Sequence, residues 1–399
     1  MVSVAEAVGI IFSNLYKPNV ESVTLKEALS RVLAEDIVAD RDFPPFDRVS
    51  MDGIAIQFQE WKNGRKEFVM ETTQAAGDPQ KTLSRTENCI EVMTGAMLPA
   101  NTDTVIRYED IEIQNSKAQV LSETIDPGQN VHKQGIDSKQ DGLLLEPGII
   151  ISPAEIALLA SVGHAAVKVF ALPRTAIISS GDELVDVNEA PAPYQIRRSN
   201  TYAIEAAMLP FHWNANQFHF PDKKEVLLKS LTTILNEHEV LILSGGVSKG
   251  KFDFIPQVFE ELGVKKLFHH VNQRPGKPLW FGVSREHKII FALPGNPVST
   301  YMCFYRYIKP WLLKSLGVEA PVLTAELAGD FSFAPNLSYF LQVVVKIENG
   351  KLVAYPEAGG GSGDFANLKN VTGFLELPHD KSTFKAGEVF PYFPFRNFL

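Results

Sequence analysis

Two cysteines in 399 residues, Cys89 and Cys303, with no C-x-x-C pair between them, support neither a disulfide framework nor a zinc site. Both are expected to be small buried hydrophobes in a reducing compartment. Long apolar runs are missing as well. No stretch of about 18 uninterrupted apolar residues occurs, so no spanning helix is expected. The start of the chain, MVSVAEAVGIIFSNLYKP, has no basic segment ahead of its apolar residues 8–12, carries Glu6, and is too short in apolar length for a signal peptide. A cytoplasmic protein is the expectation. Positive charge is in deficit too: 38 basic against 47 acidic residues give −9, which leaves no field to hold a nucleic-acid backbone or an anionic membrane. An anionic ligand would have to be recognised by local groups.

What the chain does have is enough length and 45% hydrophobic content for roughly two to four packed domains. VTLKEALSRVLAEDI places Leu25, Ala28, Leu29, Val32 and Leu33 on one helical face behind a Thr24-x-x-Glu27 capping box. Ser152 and Glu155 repeat that box, with Pro153 at the first helical position and Gly163 ready to close the end. Between these helices, residues 54–131 alternate short β-rich runs (GIAIQF, KEFVMETT, CIEVMTG, DTVIRYEDIEI, KAQVLSET) with turn residues. The pattern predicts a discontinuous helical domain, 1–42 plus 134–167, interrupted by a β-rich insertion at 43–133. From 168 to 316, continuous apolar strands alternate with helical stretches, which predicts a doubly wound α/β domain with a parallel sheet. Residues 317–399 read as strands and hairpins of a small β domain, with Asn349-Gly350 as a hairpin turn. Gly359-Gly360-Gly361-Ser362-Gly363 is either a flexible linker or a loop that lets backbone approach a ligand.

In open α/β sheets ligands bind beyond the carboxyl ends of the strands. Four such ends share one composition: Ser179-Ser180-Gly181-Asp182-Glu183; Ser244-Gly245-Gly246 followed by Lys249, Lys251 and Asp253; Asn272-Gln273-Arg274-Pro275-Gly276-Lys277-Pro278; and Leu293-Pro294-Gly295-Asn296-Pro297-Val298-Ser299-Thr300. Glycines and hydroxyls expose amides to phosphate oxygens, Arg274 and Lys277 add charge, and Asp182, Glu183 and Asp253 are hard oxygen ligands suited to magnesium. Any one of these ends alone is a tight turn with solvated charges; the four together indicate a site for a phosphorylated, metal-carrying ligand. Gly245 to Lys251, GGVSKGK, begins like a P-loop, but Phe252 stands where the hydroxyl that holds magnesium is required. Asp52 before Gly53 reads as an Asx turn capping the next strand. His269 and His270, neighbours on a strand, are expected on opposite faces and so cannot share a metal.

Taken in order, SMDG (Ser50–Gly53), MTGA (Met93–Ala96), SSGDEL (Ser179–Leu184), SGGVSxGxxD (Ser244–Asp253), PGKP (Pro275–Pro278) and LPGNPVS (Leu293–Ser299) resemble the molybdopterin molybdenumtransferase family, also called MoeA, which includes the E domain of gephyrin. The resemblance covers nearly the whole chain. It implies a MogA-like molybdopterin-binding α/β domain, a β-barrel-like C-terminal domain, and insertion of molybdate into adenylylated molybdopterin with release of AMP. It also implies Mg2+ dependence and an elongated homodimer whose active site is shared between subunits. An adenylyltransferase delivering the pterin and molybdenum cofactor acceptor enzymes are the implied protein partners.

Carried over by position, the resemblance makes Asp182, Glu183 and Asp253, with Asp222, the metal and adenylate acids. Ser244, Gly245, Gly246 and Ser248 would line the phosphates, and Lys277, Ser299 and Ser362 the molybdate end, with Arg274 at a commonly basic position. Ser179, Gly181, Gly276, Pro294, Gly295 and Asn296 complete the expected ligand-binding set. Asp52, Thr94 and Asp137 are expected to act from the second subunit beside Glu183, Asp253 and Lys277 of the first. One departure stands out: where the family has a G-R-x-x-F-x-R segment, residues 336–342 contain no arginine, and Lys346 and Lys369 are the candidate replacements. A catalytically weak dimeric scaffold and a P-loop-like nucleotide hydrolase are the alternative functions.

Overall fold

The computed structural model describes residues 1–247, 254–357 and 359–396. The chain divides into two units, Met1–Ala34 with Gly148–Ser152 and Val167–Leu399, and Glu35–Pro147 with Pro153–Ala166.

The first unit is built on a six-stranded sheet of β1 (Thr175–Ser180), β2 (Ala215–Phe220), β3 (Val240–Ser244), β4 (Lys265–Phe268), β5 (Trp280–Val283) and β6 (Ile289–Leu293) in the order β2-β1-β3-β6-β5-β4. β1, β3 and β6 are buried along their whole length, which is why their middles are continuous apolar runs instead of alternating. Successive residues serve opposite faces. Ile177, Ile242 and Phe291 pack with α1 (Val4–Phe12), α2 (Asn200–Met208) and α5 (Pro297–Cys303). Ala176, Ile178, Leu241 and Leu243 pack with α3 (Lys224–Glu237) and α4 (Ile255–Glu261).

The expectation of a wholly parallel sheet needs one correction. β5 runs antiparallel to both β6 and β4. The connection from Phe268 to Trp280 contains no helix and is too short for a crossover, so the chain can only double back. The other five strands therefore end at the same rim. The strand expected over 265–271 stops at Phe268, and the rings of His269 and His270 lie 4.3 Å apart beyond it instead of on opposite faces.

After Gly317 the chain forms β7 (Leu323–Leu327), β8 (Ser338–Glu348), β9 (Lys351–Pro356), β10 (Gly373–Leu377) and β11 (Val389–Pro394). They pair in the order β8-β9-β7-β11-β10, and β10 returns to β8, closing a five-stranded barrel. Asn349 and Gly350, both at positive φ (51° and 79°), make the predicted β8–β9 turn. Gln273-Arg274 pairs in parallel with Ser338-Tyr339, so the loop that carries Arg274 is attached to the barrel.

In the second unit a six-stranded sheet takes the order Thr104–Arg107, Gly53–Ile56, Cys89–Val92, Glu67–Gln74, Lys117–Val120, Ile111–Gln114, as the β-rich runs predicted. The helix Pro153–Ser161 begins with the expected proline, and Gly163 has φ 80°. The helix expected over 25–33 is overturned. Although Glu27 accepts from the Thr24 amide and hydroxyl, the helix covers only Leu25–Ala28. Ser30 turns to φ 62°, and Val32 and Leu33 form bridges to Ile150 and Val169. Their period fits a helix, but burial is reached by extended pairing, and tertiary contact overrides local propensity.

Both cysteines are fully buried and in no disulfide. Burial raises both thiol pKa values, that of Cys89 to about 12. An aromatic disulfide reagent at pH 8 is expected to label no thiol in the native protein and two after denaturation. Rapid native labelling of either would contradict the packing. No helix among the described residues is long and apolar enough to cross a membrane.

Candidate active site

The parallel register puts the ends of the central strands level. Ser179 of β1 is opposite His219 of β2 on one side and Ser244 of β3 on the other, and Ser244 is opposite Leu293 of β6. The hydroxyls in this row are buried and bonded. Ser179 Oγ lies 3.3 Å from the Phe218 carbonyl and 3.0 Å from His219 Nδ1. Ser180 Oγ donates to Asp222, and Ser244 Oγ accepts from Asn200 Nδ2 at 2.8 Å. Beyond the row the glycines let the loops fold closely. The Gly245 amide donates to the Leu293 carbonyl at 3.1 Å, and Gly245 and Gly246 have φ of 96° and 70°. A Cβ on Gly181 would sit 2.6–2.9 Å from the Glu183 carboxylate, so glycine there is what lets that carboxylate fold back over the strand end.

Two cavities open on this rim. The first, about 260 Å³, is lined by Ser179, Ser180 and Glu183 from the β1 exit, by residues 196–201, and by Ser244, Gly245, Gly295 and Asn296. Its wall holds two buried polar atoms with no partner among the described residues, Arg198 Nε and Thr201 Oγ1. The second, about 340 Å³, is lined by the Gln273–Pro278 loop and by Pro294, Gly295, Asn296, Ser299, Leu337 and Ser362. Among the described residues its only charged lining groups are Arg274 and Lys277, with no acid. Gly295 and Asn296 belong to both cavities, so the two adjoin along the β6 exit.

Asn200, which the sequence reading missed, ties these loops together. Its Nδ2 also reaches the Gly295 carbonyl at 2.7 Å and Thr300 Oγ1 at 3.4 Å. Gln273 was missed as well: 1% exposed, it donates to the Gly276 carbonyl at 3.0 Å and accepts from the equally buried Tyr307, which lies on a π-helical turn, Phe304–Ile308. A single asparagine or glutamine carries no spacing signal, so neither was visible in the chain. The glycine-rich stretch is docked on the β6 exit: Asn296 Nδ2 donates to Ser362 Oγ at 2.7 Å and the Val298 amide to the Ser362 carbonyl at 3.2 Å. Lys346 and Lys369, the candidate replacements for the absent arginine, do not line the second cavity, and the Lys346 ammonium lies 4.9 Å from the Tyr355 ring centre.

Of the acids expected at the metal, Asp182 and Glu183 are exposed and Asp222 is half-buried. Burial, reinforced by the Arg198 charge, holds the His219 imidazole below its usual pKa, while Asp222 and Glu183 oppose that shift, so all three charges act on one ring. No group of three or more His, Cys, Asp or Glu among the described residues is placed to hold a metal by itself. Ser248 and Asp253, together with Lys249 and Lys251, lie outside the described residues.

In the second unit the structure joins two of the three expected residues. Asp52 Oδ1 accepts from the Thr94 amide at 2.6 Å and from its hydroxyl at 2.7 Å. The amide bond first, then the hydroxyl, holds the Asp52 carboxyl below the usual range. Asp137 instead faces His132 Nε2 at 3.0 and 3.1 Å.

Three family models cover the chain: MoeA N-terminal region (domain I and II) at residues 2–163, probable molybdopterin binding domain at 176–314, and MoeA C-terminal region (domain IV) at 324–395. The molybdopterin molybdenumtransferase of a Synechocystis species is 40% identical, covering 98% of this chain and 100% of that one. The chain belongs to the molybdopterin molybdenumtransferase family. The Bacillus subtilis molybdopterin molybdenumtransferase is 31% identical over 97% of this chain and 93% of its own. Among solved structures, a molybdopterin biosynthesis MoeA protein of Pyrococcus horikoshii superposes with a TM-score of 0.85 at 28% identity, covering 99% of this chain and 100% of the other.

Proposed function

We propose that the protein inserts molybdate into adenylylated molybdopterin with release of AMP, a step of molybdenum cofactor biosynthesis. The observation that carries this reading is the pair of cavities sharing Gly295 and Asn296, one mixing acid, cation and hydroxyls, the other lined, among the described residues, by cations, amides and hydroxyls without an acid. The first suits a phosphoanhydride and the second a small tetrahedral oxyanion, so two anionic substrates are held side by side. Molybdate oxygen is already nucleophilic, and positioning rather than a general base is what the chain supplies. Neither the scaffold nor the nucleotide-hydrolase alternative gains support from the relatives described above.

Arg274, Lys277, Ser299 and Ser362 hold the molybdate, and Ser179, Ser244, Gly245, Gly246 and Ser248 the phosphates. Magnesium keeps much of its shell as water and substrate oxygen and needs only one or two protein carboxylates, so Glu183 and Asp222, with Asp253, would hold it even though the described acids form no closed cage. When bound, Mg2+ offsets negative charge on the anhydride as AMP leaves. We further propose a cytoplasmic homodimer in which Asp52, Thr94 and Asp137 serve the site of the second subunit. Its four domains would be 1–42 plus 134–167, 43–133, 168–316 and 317–399, and it would receive the pterin from an adenylyltransferase and pass the cofactor to acceptor enzymes.

The test is AMP release from adenylylated molybdopterin and Mg2+ while molybdate is varied. Release is expected to saturate with molybdate, and Lys277→Met to raise the half-saturating concentration about 10- to 100-fold, the value of one charge-assisted hydrogen bond. Release by the wild type that ignores molybdate would refute the reading.

A further inference from the structure

We propose that Arg198 is a phosphate-binding residue, donating to the phosphate of the adenylate in the first cavity; the proposal rests on the reading just given and extends it to a residue outside the motifs. Arg198 lines that cavity with its side chain 15% exposed. Among the described residues only Nη2 of its three guanidinium nitrogens has a partner, Asp186, and Nε is buried without one. Nη1, without an acceptor among the described residues and not among the buried unpartnered atoms, is the donor that Arg198 can offer a ligand in the cavity, whereas Nε and Thr201 Oγ1 are covered by protein.

The chemistry of the ligand follows from the donors. A guanidinium presents a planar fork of N–H groups, which matches the paired oxygens of a phosphate. Asp186 fixes the fork from behind without using it up, so little side-chain freedom is lost on binding. Arg197 is unlike it: exposed, with its Nε on the Glu189 carbonyl at 3.1 Å. Arg198 shares its cavity with the exposed acid Glu183. A permanent cation in the same cavity as this acid gives a phosphate one attractive partner that no chelator removes.

The experiment is calorimetric titration of the full-length protein with AMP and with adenosine, in Mg2+ and in EDTA. Wild type is expected to bind AMP more tightly than adenosine in both buffers. Arg198→Gln, and the double variant Asp186→Asn/Arg198→Gln that removes the ion pair without stranding an acid, are expected to weaken AMP about 10- to 100-fold while adenosine changes by less than about twofold. Equal loss of both ligands in the double variant would mean that Arg198 only supports packing, and unchanged AMP affinity would mean that it faces no phosphate; either overturns the proposal while the adenylate reading stands. Loss of the AMP preference of the wild type in EDTA also overturns it. Wild type that binds neither ligand would refute the adenylate reading along with it.

Discussion

Glu183→Ala is expected to lower AMP release by about 10²- to 10³-fold, the usual loss when one group that handles developing charge is removed, while far-UV circular dichroism and the melting midpoint stay at wild-type values. Glu183 is exposed, so its removal leaves no buried gap. It lines the first cavity, and no described residue bonds its carboxylate; Asp222, by contrast, already accepts from Ser180. An unpaired carboxylate beside a phosphoanhydride repels it unless a cation stands between them. The sign of a second measurement therefore discriminates. If Glu183 holds Mg2+, Glu183→Gln raises the Mg2+ concentration needed for half-maximal release and does not improve AMP binding. If the carboxylate merely borders the cavity, its neutralisation tightens AMP binding and leaves Mg2+ dependence alone. Asp253→Ala is expected to behave like Glu183→Ala. Undiminished AMP release in both alanine variants would remove the acids from the site.

The position of this acid could be anticipated from the chain because a buried strand followed by Ser-Ser-Gly-Asp-Glu has few ways to end. A continuous apolar run fixes β1 in the middle of a covered sheet, and polar residues then mark where it leaves. The same physics made β3 and β6 legible, and the Asn349-Gly350 turn announced the β8–β9 hairpin. What stayed hidden depended on partners distant in sequence. Asn200 is separated by 44 residues from Ser244 and by 95 from Gly295, and nothing near it distinguishes a bridging asparagine from one that opens a helix. The reversal of β5 was illegible for another reason: direction is set by the length of the connection, and the loop carrying Arg274 and Lys277 is also the return between β4 and β5. The helix expected after Thr24 failed because Val32 and Leu33 satisfy two periods at once, and only Ile150 and Val169, far along the chain, decide between them.

Gly53→Ala is expected to cost about 4 kcal/mol or more, and to lower the melting midpoint of the second unit by roughly 10–20 °C. A Cβ at this position would sit 1.9 Å from the Ile106 carbonyl oxygen and 2.8 Å from Arg107 Cα. Both are backbone atoms, so no side-chain rotation relieves the overlap, and the loss exceeds the ~1–3 kcal/mol of ordinary overpacking. Movement is equally blocked, because Gly53–Ile56 is fully buried and pairs with Cys89–Val92 on one edge and Thr104–Arg107 on the other. Asp52, one residue earlier, is exposed and holds Thr94 through a single carboxylate oxygen. Asp52→Asn keeps an acceptor for Thr94 and removes the charge, so its melting curve is expected to match that of the wild type while AMP release falls. Adjacent letters of one motif thus separate: the glycine admits a neighbouring strand, and the aspartate presents a charge. A Gly53→Ala protein that melts with the wild type would show that the strand has room the packing denies, and an Asp52→Asn protein with wild-type AMP release would reduce the whole motif to a turn.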